Sequence, residues 1–319
     1  MTNARVIKSD KRIFDCKIIE TSQIVQATAL GNLSKEDTIV VGDYVELEAQ
    51  SDEWIIKSVE ERRNEIFRML RRESKKKVTA ANCDCLVILN SSSKPAYKRG
   101  IVDRFLTRAH QWQVHPIVIF NKMDQYSGKD FDIKFEADRL KFLGVECFEI
   151  SAIEPDYKPK YLSLGLEELK TTLKDKTALF VGQSGVGKSQ TINAISGENI
   201  DLRTGAVGKV GKGAHTTTWS EIVHCKDFDL IDSPGIRQFS IDDIISEDLI
   251  ELFPDVEEVA TGCSFTNCGH EEKNKGCAFY SDNLSSTDQK LLITRLDAFK
   301  QLLEEISQIP DWQKKGSKF

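Results

Sequence analysis

The chain has no long hydrophobic run. Its unbroken apolar stretches reach about four residues, as at Leu86–Leu89, far short of the ~20 that a helix needs to cross a bilayer. Its first twelve residues, MTNARVIKSDKR, carry charges before any apolar stretch, so no secretory leader is expected. No internal repeat and no low-complexity segment is found. There is no excess of positive charge either. A net charge of −6 argues against a uniformly basic nucleic-acid coat. Without a leader the chain is expected in a reducing, cytoplasmic compartment, where its eight cysteines serve as thiols or metal ligands and not as disulfides.

What is present suits two or three domains in 319 residues. Residues 4–60 read as short strands at Arg5–Ile7, Phe14–Ile19, Ile24–Ala29, Tyr44–Leu47 and Trp54–Val59, which suggests a small β-barrel. A basic run follows: residues 57–77 hold nine Lys/Arg against four Glu. It reads as a linker, either solvated or facing RNA. From about residue 84 short apolar strands alternate with helical spacings such as Ile101, Phe105 and Ala109. That pattern indicates βα units around a mostly parallel sheet. Residues 238–262 hold eight Asp/Glu and no Lys or Arg, read as a solvated surface. A last helix is expected from Ser286 or Thr287, with Leu292, Leu296, Phe299, Leu303 and Ile306 in one stripe.

The strongest motif is Gly182-Gln183-Ser184-Gly185-Val186-Gly187-Lys188-Ser189, followed by Gln190. It fits G-x-x-x-x-G-K-S after a strand and before a helix. Glycines let successive N–H groups curl toward phosphate oxygens, and the helix adds its positive end. Lys188 is expected at the β- and γ-phosphates and Ser189 on Mg²⁺. Asp232-Ser233-Pro234-Gly235 ends an apolar strand about 45 residues later. There Asp232 can hold Mg²⁺ through water and Gly235 can offer its N–H to the γ-phosphate.

Asn121-Lys122-Met123-Asp124 follows the strand Pro116–Phe120 and matches the guanine-reading N-K-x-D pattern. Asp124 is expected to accept from guanine N1–H and the 2-amino group. Adenine offers neither donor, so a buried carboxylate left unpaired rejects ATP by about 10⁴-fold. Lys122 can lay its stem along the base. Ser151-Ala152 resembles the short loop that meets guanine O6 through an N–H. Glycines at 205, 208, 211 and 213 precede Ala214-His215-Thr216-Thr217-Thr218, which predicts a mobile loop. One of the three threonines is expected on Mg²⁺, Thr217 being favoured. Cys263, Cys268, His270 and Cys277 lie within 15 residues at a spacing that suits a closed, structural, tetrahedral Zn²⁺ site. His110 and His115 show no partners and are left as structural histidines.

Taken together, these residues resemble one family, the circularly permuted, small-ribosomal-subunit-dependent GTPases of the RsgA (YjeQ) type. NKMD, SA, GQSGVGKS, HTTT and DSPG occur in the family's order, with the guanine motif upstream of the phosphate loop. The Cys/His cluster follows, and VGDYVEL resembles the family's OB-barrel. The resemblance covers almost the whole chain. It implies three domains: an OB-fold at 1–72, a circularly permuted GTPase domain at 73–240 and a zinc-binding helical domain at 241–319. It also implies a cytoplasmic monomer that binds GTP or GDP, the small subunit and its rRNA, touches no membrane, and is released by hydrolysis late in subunit maturation. Where Ras-like proteins carry a water-orienting glutamine after D-x-x-G, this chain has Ile236, a replacement the family shares. His215 is the candidate water-positioning residue, and Ala214 stands where the family often has arginine. Two rivals are a nucleotide-gated RNA-binding module in which hydrolysis is incidental, and a zinc-stabilised G protein with a non-ribosomal partner.

Overall fold

The computed structural model describes residues 1–10, 12–29, 39–50, 53–70, 75–197, 200, 220–232, 241–281 and 284–308. Five strands open the chain: β1 (Thr2–Asp10), β2 (Ile13–Ile18), β3 (Ile24–Ala29), β4 (Tyr44–Gln50) and β5 (Glu53–Val59). Alternate residues point inward, so Ala4, Val6, Phe14, Cys16, Val45 and Leu47 form one core. The order β1-β2-β3-β5-β4, with β4 returning to β1, closes the sheet into the expected barrel. Each of these five described strands therefore has a neighbour on both sides.

The basic run does not behave as the expected linker. It forms a hairpin, β6 (Glu65–Leu70) against β7 (Lys75–Ala81). Ile66 and Ala80 are wholly buried and join the core of the following domain, and Trp112 Nε1 donates to the Phe67 carbonyl at 3.1 Å. High charge hid two strands whose inward positions are apolar.

The central sheet holds β8 (Cys85–Ser91), β9 (His115–Asn121), β10 (Glu146–Glu149), β11 (Thr177–Val181), β12 (Ser220–Cys225) and β13 (Phe228–Asp232). Its order is β10-β9-β8-β11-β13-β12. The first five in that order run parallel, and β12 runs against β13. Helices α1 (Arg99–Gln111) and α2 (Ile133–Phe142) cover one face. Helices α3 (Leu166–Leu173) and α4 (Lys188–Ser196) cover the other. Strand β8 is buried along its whole length and feeds both layers, Leu86 and Ile88 on one side, Val87 and Leu89 on the other. That double burial is why it reads as a continuous apolar run. Because β12 also pairs with β1, through Glu221↔Lys8 and Ser220↔Ser9, the barrel and the central sheet share hydrogen bonds.

Beyond residue 241 the structure is helical. A 3₁₀ turn (Ile250–Leu252) leads into α5 (Pro254–Thr261), and after the Cys/His cluster comes α6 (Ser286–Ser307). Ser285 caps α6 by accepting the Asp288 N–H. Leu292, Leu296 and Ile306 pack on Ile241, Phe253 and Val256 in a third core. Among the described residues no helix is long and apolar enough to cross a membrane.

Candidate functional site

The parallel strands all end on one edge of the sheet, and each of the five carries a segment of interest there. Ser91 ends β8 and Ser92–Ser93 follow it, Asn121 ends β9, Ser151 follows β10, Gly182 follows β11 and Asp232 ends β13. The strand order reverses between β8 and β11, and open α/β sheets bind ligands at such a crossing.

Asn121 is 2% exposed. Its Nδ2 donates to the Val186 carbonyl at 2.9 Å, and its Oδ1 accepts the Ala152 N–H at 3.0 Å. One side chain therefore joins three loops that are far apart in sequence. Lys122 takes a left-handed backbone (φ 61°). Its ammonium donates to the Gly185 carbonyl at 2.7 Å and to the Lys94 carbonyl, so its stem spans from the NKMD turn to the crest of the phosphate loop. Asp124 is half-buried and accepts from the Ser151 hydroxyl at 2.7 Å. The turn is pinned from below by Met123 N–H to the Ile150 carbonyl at 3.1 Å. From the side, the Ser92 hydroxyl donates to the Lys122 carbonyl at 2.6 Å. Ser92 and Lys94 escaped the sequence reading. Their only signal there was a polar stretch directly after β8.

The phosphate loop turns tightly against its neighbours. Gly182 has φ +150°, and a Cβ there would lie 2.3 Å from the Leu89 carbonyl oxygen. Gly187 has φ +98°, and its Cβ would lie 2.4 Å from Asn121 Nδ2. Lys188, the first residue of α4, folds back so that its ammonium donates to the Gly182 carbonyl at 2.8 Å. A cation held over a ring of glycines at a helix N-terminus is what a polyphosphate requires. Gln183, Ser184, Ser189 and Gln190 complete the loop and the first turn. Asp232 sits opposite Glu221 on β12, at the same edge of the sheet as Gly182. Gly235, Ile236, Ala214, His215 and the threonines 216–218 lie outside the described residues.

The second cluster is separate. The ligand atoms of Cys263, Cys268, His270 and Cys277 all lie within 4.8 Å of one another. His270 Nδ1 is 3.4 Å from Cys263 Sγ and 3.9 Å from Cys277 Sγ. Tetrahedral zinc with sulfur at ~2.3 Å sets neighbouring ligand atoms about 3.8 Å apart, so three thiols and one imidazole at this separation fit the ion. Burial pushes the Cys277 thiol up to about 11, whereas the backbone N–H of His270 pulls the Cys268 thiol below its usual range. Metal capture at neutral pH therefore releases at least the Cys277 proton. The Lys300 ammonium holds the His270 carbonyl at 2.7 Å, fixing the turn to α6. Of the remaining cysteines, Cys16, Cys83, Cys85 and Cys225 are buried and Cys147 is partly so; burial raises Cys16 and Cys85 to about 12. His110 and His115 are both exposed.

Comparisons with known proteins agree with this geometry. A family model described as RsgA GTPase matches residues 59–242. A second, described as 50S ribosome-binding GTPase, matches residues 177–315, beginning at β11. The small ribosomal subunit biogenesis GTPase RsgA of Porphyromonas gingivalis is 34% identical over 262 residues, covering 78% of this chain and 79% of that protein. Its namesake in Bacillus subtilis is 30% identical over 292 residues, covering 90% and 91%. Among solved structures, YloQ, a circularly permuted GTPase, superposes with a TM-score of 0.69 at 25% identity, over 97% of this chain and 96% of that one. YjeQ from Thermotoga maritima shares the fold, with a TM-score of 0.73 at 23% identity over 96% and 98% of the two chains.

Proposed function

The chain belongs to the RsgA GTPase family, and from that premise we propose that it hydrolyses GTP while bound to the small ribosomal subunit and leaves that subunit afterwards, late in its maturation. The observation that carries the reading is the bracket around Asn121. A guanine-reading loop, a phosphate loop and the Ser151-Ala152 loop are held by one buried side chain, although the first of them lies upstream of the others. Relatives that cover most of the chain are named for small-subunit biogenesis, which supports the choice of partner.

Asp124 accepts the guanine edge, with Ser151 holding it in place, and Lys122 flanks the base. Gly182–Gln190 wrap the phosphates through backbone N–H groups, and Lys188 moves from the Gly182 carbonyl to the β- and γ-oxygens. Phosphoryl transfer needs little covalent chemistry from the protein, so positioning and charge stabilisation dominate. Ser189, Asp232 and Thr217 would hold Mg²⁺, which neutralises charge on the β- and γ-phosphates when bound. Gly235 meets the γ-phosphate. His215 orients the attacking water, since Ile236 cannot.

Three units suit these tasks: barrel, GTPase domain and zinc module, divided by sequence at 72/73 and 240/241. The packing of Ile66 and Ala80 into the GTPase core favours a first boundary nearer residue 60. Zn²⁺ on Cys263, Cys268, His270 and Cys277 is structural. The barrel and the zinc module contact rRNA, and the protein works in the cytoplasm as a monomer.

The test is the GTP turnover rate with and without purified small subunits at several salt concentrations. Subunits are expected to raise the rate by well over about tenfold, since charge and positioning supplied by a partner act by about 10³–10⁵-fold in related GTPases. A rate indifferent to them would sink the proposal.

A further inference from the structure

At the edge of the sheet opposite the nucleotide loops there is a second concavity. It opens where β9 begins and just before β10 begins, and its volume is about 860 Å³. A seven-residue strand separates the two edges, roughly 20 Å at strand rise. Its floor is apolar: Leu106, Val114, Val145 and Leu252 are each at least nine-tenths buried and face into it. Phe142, the last residue of α2, stands 42% exposed at its mouth.

The far wall comes from the C-terminal module and is acidic. It draws Glu251, Asp255 and Glu258 from the stretch 238–262 that holds eight carboxylates and no Lys or Arg. Arg295 also lines the cavity, but its guanidinium is engaged by Asp103 at 2.8 Å and by Asp255 at 2.9 Å. Glu251 and Glu258 are exposed, and among the described residues neither forms an ion pair. The near lip carries His110 and His115. Gln111 also lines the wall and is only 6% exposed. Its Oε1 accepts from Arg108, while among the described residues its buried Nε2 has no acceptor.

We propose that this groove docks a short, basic, partly apolar segment of a protein partner. The apolar floor supplies burial for one or two aliphatic or aromatic anchors, and the unpaired carboxylates choose cationic neighbours for them. Polyanionic RNA is disfavoured at the same place, because its phosphates would meet Glu251 and Glu258. The site therefore adds a protein contact to a molecule whose proposed partner is largely RNA. It does not depend on the nucleotide reading, since none of its walls comes from the nucleotide edge.

The experiment uses the full chain loaded with GDP and fluorescence anisotropy with three labelled probes. These are a short peptide of alternating Lys and Leu, the same peptide with Glu for Lys, and a short oligouridylate. The Lys/Leu peptide should bind. The double variant Glu251→Lys/Glu258→Lys should weaken it about tenfold or more, as reversal of paired interface charges does. A control on the barrel, Glu20→Lys/Glu53→Lys, changes as much charge at exposed positions and should leave binding within about twofold. Replacing the peptide's Leu by Ser should also abolish binding, and hydrogen exchange should slow at 142–145 and 251–258 when the Lys/Leu peptide is present. Equal weakening by both double variants would mean that only the overall negative field attracts the peptide, and would overturn the proposal. So would displacement of the peptide from the groove by the oligouridylate.

Discussion

Asn121 and Gly187 depend on each other. The Asn121 amide reaches the Val186 carbonyl because residue 187 has no side chain in the way. An alanine there meets two penalties: a φ of +98° that L residues avoid, and a methyl group within contact of the amide nitrogen. Backbone strain of this kind costs about 1–3 kcal/mol. Gly187→Ala is therefore expected to weaken GDP and GTP alike by roughly tenfold or more, since ~1.4 kcal/mol is tenfold in affinity. Titration with a fluorescent GDP analogue reads this directly. Unchanged affinity would show that the bracket does not position the phosphate loop. The glycine pattern was plain in the sequence. Its dependence on an asparagine 66 positions earlier was not, because it exists only once β9 and β11 lie in one sheet.

Helix α1 shows how an element can be read correctly and still mislead. Ile101, Phe105 and Ala109 gave its spacing, and its polar residues would pass for a solvent face. Asp103 and Arg108 are instead 1% and 3% exposed. Asp103 accepts from Arg139 of α2 at 2.6 Å and from Arg295 of α6 at 2.8 Å, while Arg108 pairs with Asp243 at the start of the C-terminal module. Nothing local signals this, because the partners of Asp103 lie 36 and 192 residues away. The hairpin β6–β7 and helix α5 were missed for the same reason, their polar residues outnumbering a few inward positions. Strands β3, β8 and β9 were legible because they are apolar on the faces they bury. Removing one member of a buried ion pair costs about 3–5 kcal/mol. Arg295→Met keeps most of the volume and strips Asp103 and Asp255 of a partner. It should lower the urea midpoint and speed exchange along 286–307. The more exposed pair Arg104–Glu305 predicts less than about 1 kcal/mol for Arg104→Met. Equal effects from the two substitutions would mean that the buried network does not dock the module.

Across the whole molecule, the reversed motif order decides what the nucleotide loops are attached to. The C-terminal module follows Asp232 in sequence, and α1 docks it. The barrel is joined at another point. Strand β12 is the first described element after the glycine-rich sequence 205–218, and its first residues, Ser220 and Glu221, pair with Ser9 and Lys8 of β1. Glu221 is also the register partner of Asp232 on β13. Arg5 of β1 reinforces the joint, donating to Asp229 at 3.1 Å and to the Thr177 hydroxyl of β11 at 2.8 Å. The barrel is thus hydrogen-bonded to the strand that follows the proposed switch in sequence and lies beside the proposed Mg²⁺ ligand. Arg5→Ala removes both side-chain contacts and leaves every proposed nucleotide-binding residue in place. Hydrolysis by the protein alone should stay within about twofold, whereas stimulation by small subunits should fall at least about fivefold, the lower end of measured coupling between sites. Subunit binding with a non-hydrolysable GTP analogue should fall by less than stimulation does, because the barrel itself still folds on its own core. If hydrogen exchange shows Ser220 and Glu221 released from β1 while stimulation is unchanged, the barrel is a tether and takes no part in triggering hydrolysis.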